Sequence, residues 1–209
     1  MKIIYKLGGG KFLYFATLSL LCVPHVFVYL VCRNKHIIQH DVNRWIDCTV
    51  KEHHGHVLDL LYLLSFCKEF RNVFYLRAGF ARFFMQWYLR PLATLYINVP
   101  SARFGEGTFI QHGFATVITA ESIGKDCWIN QQVTIGFNDS RKYGYGKPII
   151  GNNVRISAGA KVCGKVTVGD NSTIGVNAVV VKNVPSNSVV IPSPTMMIVE
   201  DNKQIYKKL

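Results

Sequence analysis

The sequence predicts a mainly β fold, a parallel β-helix preceded by an α-helical N-terminal region. Three observations predict it: an apolar residue recurs about every six positions in the second half, a glycine often follows it, and the first half is rich in apolar and aromatic residues at helical spacing. A period of six is typical of a parallel β-helix, because each unit forms one short strand and one tight corner. The period positions are Phe104, Ile110, Val117, Ile123, Ile129, Ile135, Ile150, Ile156, Val162, Val168, Ile174 and Val180.

Stacking of such coils predicts that the period residues point into a triangular prism and form buried columns. The second position of the unit is glycine at 105, 124, 136, 151, 169 and 175, where the corner leaves little room for a side chain. The fifth position is again small or apolar, at Cys127, Val133, Val154, Ala160, Val166 and Ala178. A β-sandwich does not fit, because alternation of period two does not give columns of period six.

Two intervals break the period, and these are the places where chemistry is expected. Ile110 to Val117 is seven residues, and Ile135 to Ile150 is fifteen. The longer interval extrudes the loop 136–149, GFNDSRKYGYGKPI. Aromatic rings in such a loop can stack on a sugar face, and basic groups can meet a phosphate.

Four short motifs make the second half resemble the hexapeptide-repeat acyltransferases. They are Ile-Gln-His-Gly at 110–113, Val-Thr-Ile-Gly at 133–136, Ser-Ala-Gly-Ala-Lys at 157–161 and Ala-Val-Val-Val-Lys-Asn-Val-Pro at 178–185. They resemble the catalytic domain of serine acetyltransferases, and still more the sugar O-acetyltransferases of bacterial capsule and exopolysaccharide clusters, including those of colanic acid. The resemblance implies a left-handed coil, acetyl-CoA as co-substrate, no metal, and a homotrimer with acetyl-CoA in the groove between two β-helices.

His112 is the predicted catalytic base. It is the last histidine of the sequence and lies in the seven-residue interval beside Gly113. An alcohol is a poor nucleophile at neutral pH, so acetyl transfer to a hydroxyl needs a base near the attacking oxygen, and imidazole suits that task. The resemblance also aligns His112 with the catalytic histidine of serine acetyltransferases. Asn98, Glu106 and a backbone carbonyl are the candidates for the group that orients it.

Departures from the serine acetyltransferase motif suggest a different acceptor. Gln111 and Lys147 stand where that motif has an aspartate and a second histidine, and Ile97 and Asn98 stand near the position of another aspartate. We therefore expect a sugar hydroxyl of a bacterial surface-polysaccharide precursor, as a saccharide or a lipid-linked glycan. The residues expected at the acceptor are Asn98, Gln111, Arg141, Tyr143, Tyr145 and Lys147; those expected along acetyl-CoA are Ala158, Gly159, Lys161, Asn177, Ala178 and Lys182.

The net charge of +12 lies mostly in the first half, since residues 1–103 hold 13 basic and 5 acidic residues. Such an excess can serve nucleic acid, anionic lipid or an anionic substrate. No nucleic-acid-binding motif is present, so nucleic acid is not an expected partner. The six cysteines show no paired spacing and are read as reduced thiols. The histidines at 53, 54 and 56 are read as a solvated loop.

The N-terminal run Phe12–Cys32 is uncharged over 21 residues and predicts association with the cytoplasmic face of the inner membrane. Pro24 and His25 at its middle disfavour a straight span, and basic residues on both sides favour a peripheral or monotopic helix that enters without crossing. A core helix is the alternative. The resulting division is 1–35 membrane-associating, 36–95 helical cap, 96–199 β-helix and 200–209 basic tail.

Other functions were weighed against acetyl transfer to a sugar. Serine O-acetyltransferase of cysteine biosynthesis is the enzymatic alternative, and a membrane-bound trimeric scaffold without catalysis is the second. A zinc enzyme of the γ-carbonic anhydrase type needs three histidines in the coils, whereas the coils hold His112 alone.

Overall fold

Helices make up the first part of the fold. The computed structural model describes residues 9–137, 145–192, 195–200 and 203–208. Short 3₁₀ turns occupy Gly79–Ala81 and Ser101–Arg103. The helices are α1 Gly9–Leu21, α2 Val23–Val31, α3 Lys35–Thr49, α4 His56–Phe66, α5 Lys68–Ala78 and α6 Arg82–Met85.

Short parallel strands make up the second part. The strands are β1 Leu95–Ile97, β2 Phe109–Ile110, β3 Thr116–Ile118, β4 Ser122–Ile123, β5 Trp128–Ile129, β6 Thr134–Gly136, β7 Ile149–Ile150, β8 Arg155–Ile156, β9 Lys161–Cys163, β10 Thr167–Val168, β11 Thr173–Ile174, β12 Val179–Val180, β13 Val189–Val190, β14 Thr195–Glu200 and β15 Lys203–Lys208. The last two form an antiparallel pair, outside the coils.

Three parallel sheets form the walls of a prism. Their strand orders are β1-β3-β6-β9-β12, β10-β7-β4 and β13-β11-β8-β5-β2, so strands three apart in sequence are usually neighbours in space. Ile129, for example, pairs with Ile110 on one side and Ile156 on the other. Three six-residue units per turn give this order, and the predicted β-helix is confirmed.

Eleven of the twelve period residues are buried, but the prediction for Val117 is wrong. Val117 is 39% exposed, whereas Ile118 is fully buried and pairs with Ile135. The chain uses eight residues from Ile110 to Ile118 because an extra turn lies between them, and a shorter corner then leads to Ile123. The irregularity is therefore larger than the sequence spacing suggests, and it is concentrated around residues 112–115.

The glycines at the second position are explained by close approach of neighbouring coils. A Cβ atom on Gly105 would lie 2.1 Å from the carbonyl oxygen of Gly124, and one on Gly124 would lie 2.3 Å from that of Gly151. Any side chain at these positions would push the coils apart, so the glycine column is a requirement of stacking.

A buried ion pair fastens the helices to the first coil. Asp41 of α3 accepts a hydrogen bond from Arg77 Nε of α5 at 2.9 Å and another from the backbone N–H of Gly107 at 2.7 Å. The other guanidinium nitrogens of Arg77 donate to the carbonyl oxygens of Ser101, Phe104 and Gly105. Burial raises the pKa of Asp41, and the charge of Arg77 opposes that rise. Each polar atom of the pair thus meets a partner on another element.

An edge-to-face row of aromatic rings continues the same interface on the outside of the prism. The Trp45 ring lies 4.8 Å from Phe109, which lies 4.8 Å from Trp128. The Trp45 indole N–H also donates to the carbonyl oxygen of Thr108 at 3.0 Å. The helical region therefore covers one wall of the first coil.

His25 of α2 is a buried histidine held neutral. The Tyr75 hydroxyl donates to the carbonyl oxygen of Leu89 at 2.7 Å, so it accepts the Nε2–H of His25 at 2.9 Å. His25 Nδ1 is buried and has no partner among the described residues. Burial, with a smaller contribution from the charge of Arg71, lowers the pKa of His25 from 6.5 to about 4. Protonation would place an unpaired N–H in the core.

This burial predicts a pH-dependent stability. His25 takes up a proton near pH 6.5 in the unfolded chain, but only near pH 4 in the folded chain. The free energy of unfolding is therefore highest above pH 6.5 and falls as the pH drops from 6.5 to 4, by about 3 kcal/mol in total. His25→Phe should remove that part of the slope. Urea unfolding from pH 7 to pH 4 measures it, with His36→Gln on the exposed side of α3 as the control; equal slopes in wild type and His25→Phe would contradict the assignment.

The N-terminal run forms two helices. No single helix among the described residues has both the length and the apolar composition needed to cross a membrane. The pair Phe12–Leu21 and Val23–Val31 meets both conditions together, with a bend of 54°. The proline at position 24 lies in the first turn of α2, where its missing N–H costs nothing, so the break at residue 22 is consistent with the sequence.

Candidate functional site

The extra turn between β2 and β3 presents His112 to solvent. His112 and Ala115 both adopt positive φ, 52° in each case, and the N–H of Phe114 donates to the carbonyl oxygen of His112 at 2.7 Å. Histidine is one of the side-chain-bearing residues that enter this region with modest cost. A Cβ on Gly113 would lie 2.9 Å from the Ile110 side chain, so the turn packs tightly on the core while the imidazole stays exposed.

A cavity of about 320 Å³ lies beside His112, between the helical region and the first coil. Apolar and sulfur-bearing side chains form most of its wall, and the polar ones are few. Its lining residues are Trp45, Cys48, Thr49, Phe66, Cys67, Glu69, Phe109, Ile110, Gln111 and His112. A small molecule could therefore reach the imidazole with part of its surface enclosed.

Glu69 brings a carboxylate to this cavity from the first turn of α5. A Cβ on Gly113 would lie 3.2 Å from Glu69 Cγ, so the Glu69 side chain packs against the His112 turn. Within the described part of the chain, Glu69 has no ion-pair partner. Sequence reasoning missed this residue, because nothing in the spacing of α5 and β2 signals that they meet.

Gln111 points along the wall of the coil. Its Oε1 accepts from Trp128 Nε1 at 3.2 Å and from Asn130 Nδ2 at 3.0 Å. These two bonds fix the amide in place, with its NH₂ group left as the polar group available to a ligand. Gln111 and His112 thus line the same cavity, and their roles stay predictions.

The residues expected along acetyl-CoA follow one corner of the prism that starts at the His112 turn. Ala115, Gln132, Gly159 and Asn177 all have positive φ, from 52° to 72°. Consecutive coils are tied there by N–H donation from Gln132 to the carbonyl oxygen of Phe114, from Gly159 to that of Gln131 and from Asn177 to that of Ala158, at 3.0 to 3.1 Å. We call this row of four residues the left-handed corner.

The remaining expected cofactor residues lie next to that corner. Lys161 extends its ammonium to the carbonyl oxygen of Gln132, and Lys182 lines a recess of about 210 Å³ further along the prism. Ala178 is buried, so its backbone alone could face a ligand. The structure therefore groups these six residues on consecutive coils.

Other expected site residues lie elsewhere or are engaged. Asn98 lines a separate cleft of about 660 Å³ with Arg82 and Phe83 and does not line the His112 cavity. Glu106 pairs with Lys125 at 2.9 Å, and that hydrogen bond lowers the pKa of Glu106. Neither residue lines the His112 cavity, and their role as orienting partners of His112 stays a prediction.

The structure describes the fifteen-residue interval between Ile135 and Ile150 at its two ends. Arg141 and Tyr143 lie outside the described residues. Tyr145 is exposed with its ring 6.0 Å from that of Phe137, and Lys147 is half-buried. Their expected role at the acceptor stays a prediction.

The histidine-rich loop is held by acidic residues. His53 lies 2.9 Å from Asp47 and 3.5 Å from Asp59, and His56 is hydrogen-bonded to Gln39 at 2.8 Å. Bonding to Asp47 raises the pKa of His53. Across the described ranges, no group of three or more His, Cys, Asp or Glu side chains could hold a metal ion.

Comparison with known proteins identifies the repeats. Residues 147–182 match the family described as bacterial transferase hexapeptide (six repeats). This match covers 36 residues of the coil and shows that this part of the sequence is similar to that family. Solved structures agree on the fold: serine acetyltransferase from Neisseria gonorrhoeae superposes with a TM-score of 0.58 at 23% identity, over 77% of this chain and 65% of that one. The coil is therefore the left-handed parallel β-helix, as expected.

A second structural neighbour contains a ligand. Serine acetyltransferase from Brucella abortus, solved in complex with coenzyme A, also gives a TM-score of 0.58 at 23% identity, covering 81% of this chain and 70% of that one. At this identity the likeness concerns the fold.

Curated relatives of the hexapeptide-repeat domain are serine acetyltransferases. That of Synechococcus elongatus is 42% identical over 100 residues, 47% of this chain and 41% of the relative. That of Staphylococcus xylosus is 41% identical over 109 residues, 52% of this chain and 50% of the relative. The chain thus spans about half the length of the curated relatives it matches.

These relatives overturn the expected sugar acceptor. The prediction of a surface-polysaccharide O-acetyltransferase is wrong, since homologues near 40% identity carry the name serine acetyltransferase and favour the alternative. The sequence-based prediction rests on Gln111 and Lys147 and on the coil residues alone. The His112 cavity is also lined by Glu69 of α5, from outside the coil.

Proposed function

We propose that this protein is an acetyl-CoA-dependent O-acetyltransferase that transfers acetyl to the hydroxyl of serine. The observation that carries the proposal is a cavity at the start of the left-handed corner that is lined by both His112 and Glu69. The names of the homologues support acetyl transfer and serine as the acceptor.

In this reaction His112 is the general base. The imidazole takes the proton of the serine hydroxyl as its oxygen attacks the thioester carbonyl of acetyl-CoA. The C–S bond of the tetrahedral intermediate then breaks, and the imidazolium returns the proton to the departing thiolate. The exposed position of His112 on a turn of fixed backbone keeps it reachable from both the cavity and the corner.

Glu69 and Gln111 hold the acceptor. The α-ammonium of serine needs an anionic partner in a part-enclosed site, and Glu69 is the carboxylate that lines the cavity. The Gln111 NH₂ group can donate to the serine carboxylate while its oxygen stays bound to Trp128 and Asn130. Tyr145 and Lys147 of the loop remain predicted acceptor contacts, as do Arg141 and Tyr143, which lie outside the described residues.

Acetyl-CoA extends along the left-handed corner. The backbone near Ala158, Gly159 and Ala178 and the ammonium groups of Lys161 and Lys182 face the arm and phosphates of the cofactor, which is anionic. In a homotrimer the neighbouring β-helix supplies the second wall of this groove. Support comes from the fold shared with a neighbour solved with coenzyme A.

The place of the chain in the cell is a further proposal. Acetyl-CoA is a cytoplasmic metabolite, so catalysis belongs on the cytoplasmic side, with the N-terminal helices peripheral or monotopic at the inner membrane. The division of the chain at residues 35, 95 and 199 likewise stays a prediction.

Thiol release from acetyl-CoA tests the proposal. With purified full-length protein, serine should be acetylated, and Glu69→Gln should raise the KM for serine about 10- to 100-fold with a smaller change in kcat, since it removes a charged partner used in binding. The KM for acetyl-CoA should stay unchanged.

Glu52→Gln is the matched control, because Glu52 is exposed and does not line the cavity. A Glu69→Gln enzyme with an unchanged KM for serine would remove Glu69 from the acceptor site. Absence of serine acetylation by the wild type would refute the proposed function itself.

A further inference from the structure

In the two N-terminal helices, a polar side chain is buried against the protein and large apolar side chains are exposed. Their polar histidine, His25, faces the protein and is fully buried together with Cys22 and Tyr29. Their outward residues are large and apolar. Exposed examples are Leu13, Leu20, Val23, Phe27, Leu30 and Val31. A helix pair in water would be expected to show the reverse arrangement.

A second apolar surface lies at the end of the helical region. We call the exposed residues Phe80, Phe83, Phe84 and Trp87 the aromatic ridge. Phe80 is 75% exposed and Trp87 is 71% exposed, and the Phe80 ring contacts those of Phe83 and Phe84 at 5.5 and 6.0 Å. Four large aromatic side chains at the surface of one short segment are more than chance exposure accounts for.

The ridge and the N-terminal helices adjoin one another. The Trp87 ring lies 5.4 Å from Tyr88, and the Tyr88 ring lies 5.9 Å from His25 on the inner side of α2. Tyr88 thus connects the segment that carries the ridge with the inner side of α2.

Basic groups surround this apolar surface. The Arg82 guanidinium lies over the Phe83 ring at 4.9 Å, and the Lys35 ammonium lies over the Tyr29 ring at 5.5 Å. Arg33 and Arg90 are exposed beside α2 and beyond the ridge. Residues 1–103 carry 13 basic and 5 acidic residues, so this half is strongly cationic. Aromatic and apolar groups with a basic border fit the boundary between lipid headgroups and acyl chains.

We propose that the helical region docks on an anionic phospholipid bilayer through two contacts, the outer face of α1–α2 and the aromatic ridge. The bent helix pair inserts its apolar side, the ridge seats at headgroup level, and the basic border meets lipid phosphates. A second copy of the chain fits less well, because self-association would bring two cationic borders together. The proposal is independent of the acceptor.

Vesicle flotation tests both contacts. Full-length protein is mixed with vesicles of phosphatidylcholine alone or of phosphatidylcholine with phosphatidylglycerol. We expect flotation with the anionic vesicles, weakened by added salt. The triple variant Phe83→Ser, Phe84→Ser, Trp87→Ser should lower the bound fraction at limiting lipid by about tenfold, since binding follows the apolar area inserted. Leu13→Ser, Leu20→Ser, Leu30→Ser should act likewise.

Controls separate the membrane contact from folding and assembly. Val179→Ser, Val189→Ser, Ile191→Ser changes exposed apolar residues on the far coils and should float like the wild type. Light scattering and acetyl transfer in detergent should be unchanged in both test variants. The proposal would be overturned if the wild type did not float with anionic vesicles, or if the ridge variant floated like the wild type. Loss of the oligomer in those variants would reassign the surface to contacts between copies.

Discussion

Replacing His112 by asparagine should lower acetyl transfer by about 10²–10⁴-fold, because it removes the base and keeps the turn. Asparagine tolerates the positive φ of 52° at this position, so the backbone that carries the side chain should persist. Turnover is followed by thiol release at saturating acetyl-CoA. His112→Ala should lose as much activity and also some stability, since alanine enters this backbone region with more strain.

The matched control for this prediction is His36→Asn, at an exposed position of α3. It should leave turnover unchanged. Near-normal turnover in a folded His112→Asn enzyme would show that another group takes the proton.

Replacing Asp41 by alanine should cost about 3–5 kcal/mol of unfolding free energy, because it leaves the buried Arg77 charge without its partner. It also leaves the N–H of Gly107 without an acceptor. The two side chains are 1% and 2% exposed, so water cannot easily replace the carboxylate. Urea unfolding of the full chain measures the change.

Asp47→Ala on the same helix is the control for this loss. Its side chain is 58% exposed and pairs with His53, so the expected change is below about 1 kcal/mol. Equal losses in the two variants would mean that the Asp41–Arg77 pair does not fasten the helices to the coil.

The coil was predictable from sequence because its core repeats. A buried column of apolar residues every six positions leaves a direct trace in the chain, and the glycine column marks the close approach of coils at Gly105 and Gly124. The period predicted the wrong core residue at Val117, because the number of residues in an irregular turn decides which residue enters the core after it. Ile118 and Val117 are equally suited in chemistry, and the backbone at His112 and Ala115 decides between them.

The site was only partly predictable. His112 and Gln111 belong to one sequence motif on the coil, and both line the cavity. Glu69 comes from α5, which contacts the coil through Arg77, and no local sequence pattern indicates that contact. A carboxylate supplied across a tertiary contact leaves no motif in the sequence.

The left-handed corner gives the molecule a built-in length scale. Ala115, Gln132, Gly159 and Asn177 lie on four successive coils, and stacked strands are about 4.8 Å apart, so the corner measures about 14 Å from the His112 turn to Asn177. The length of a linear molecule that lies along this edge is therefore matched by the number of coils, independently of which side chains touch it. Removing one whole coil would shorten that gauge by one step while leaving the turn at His112 intact.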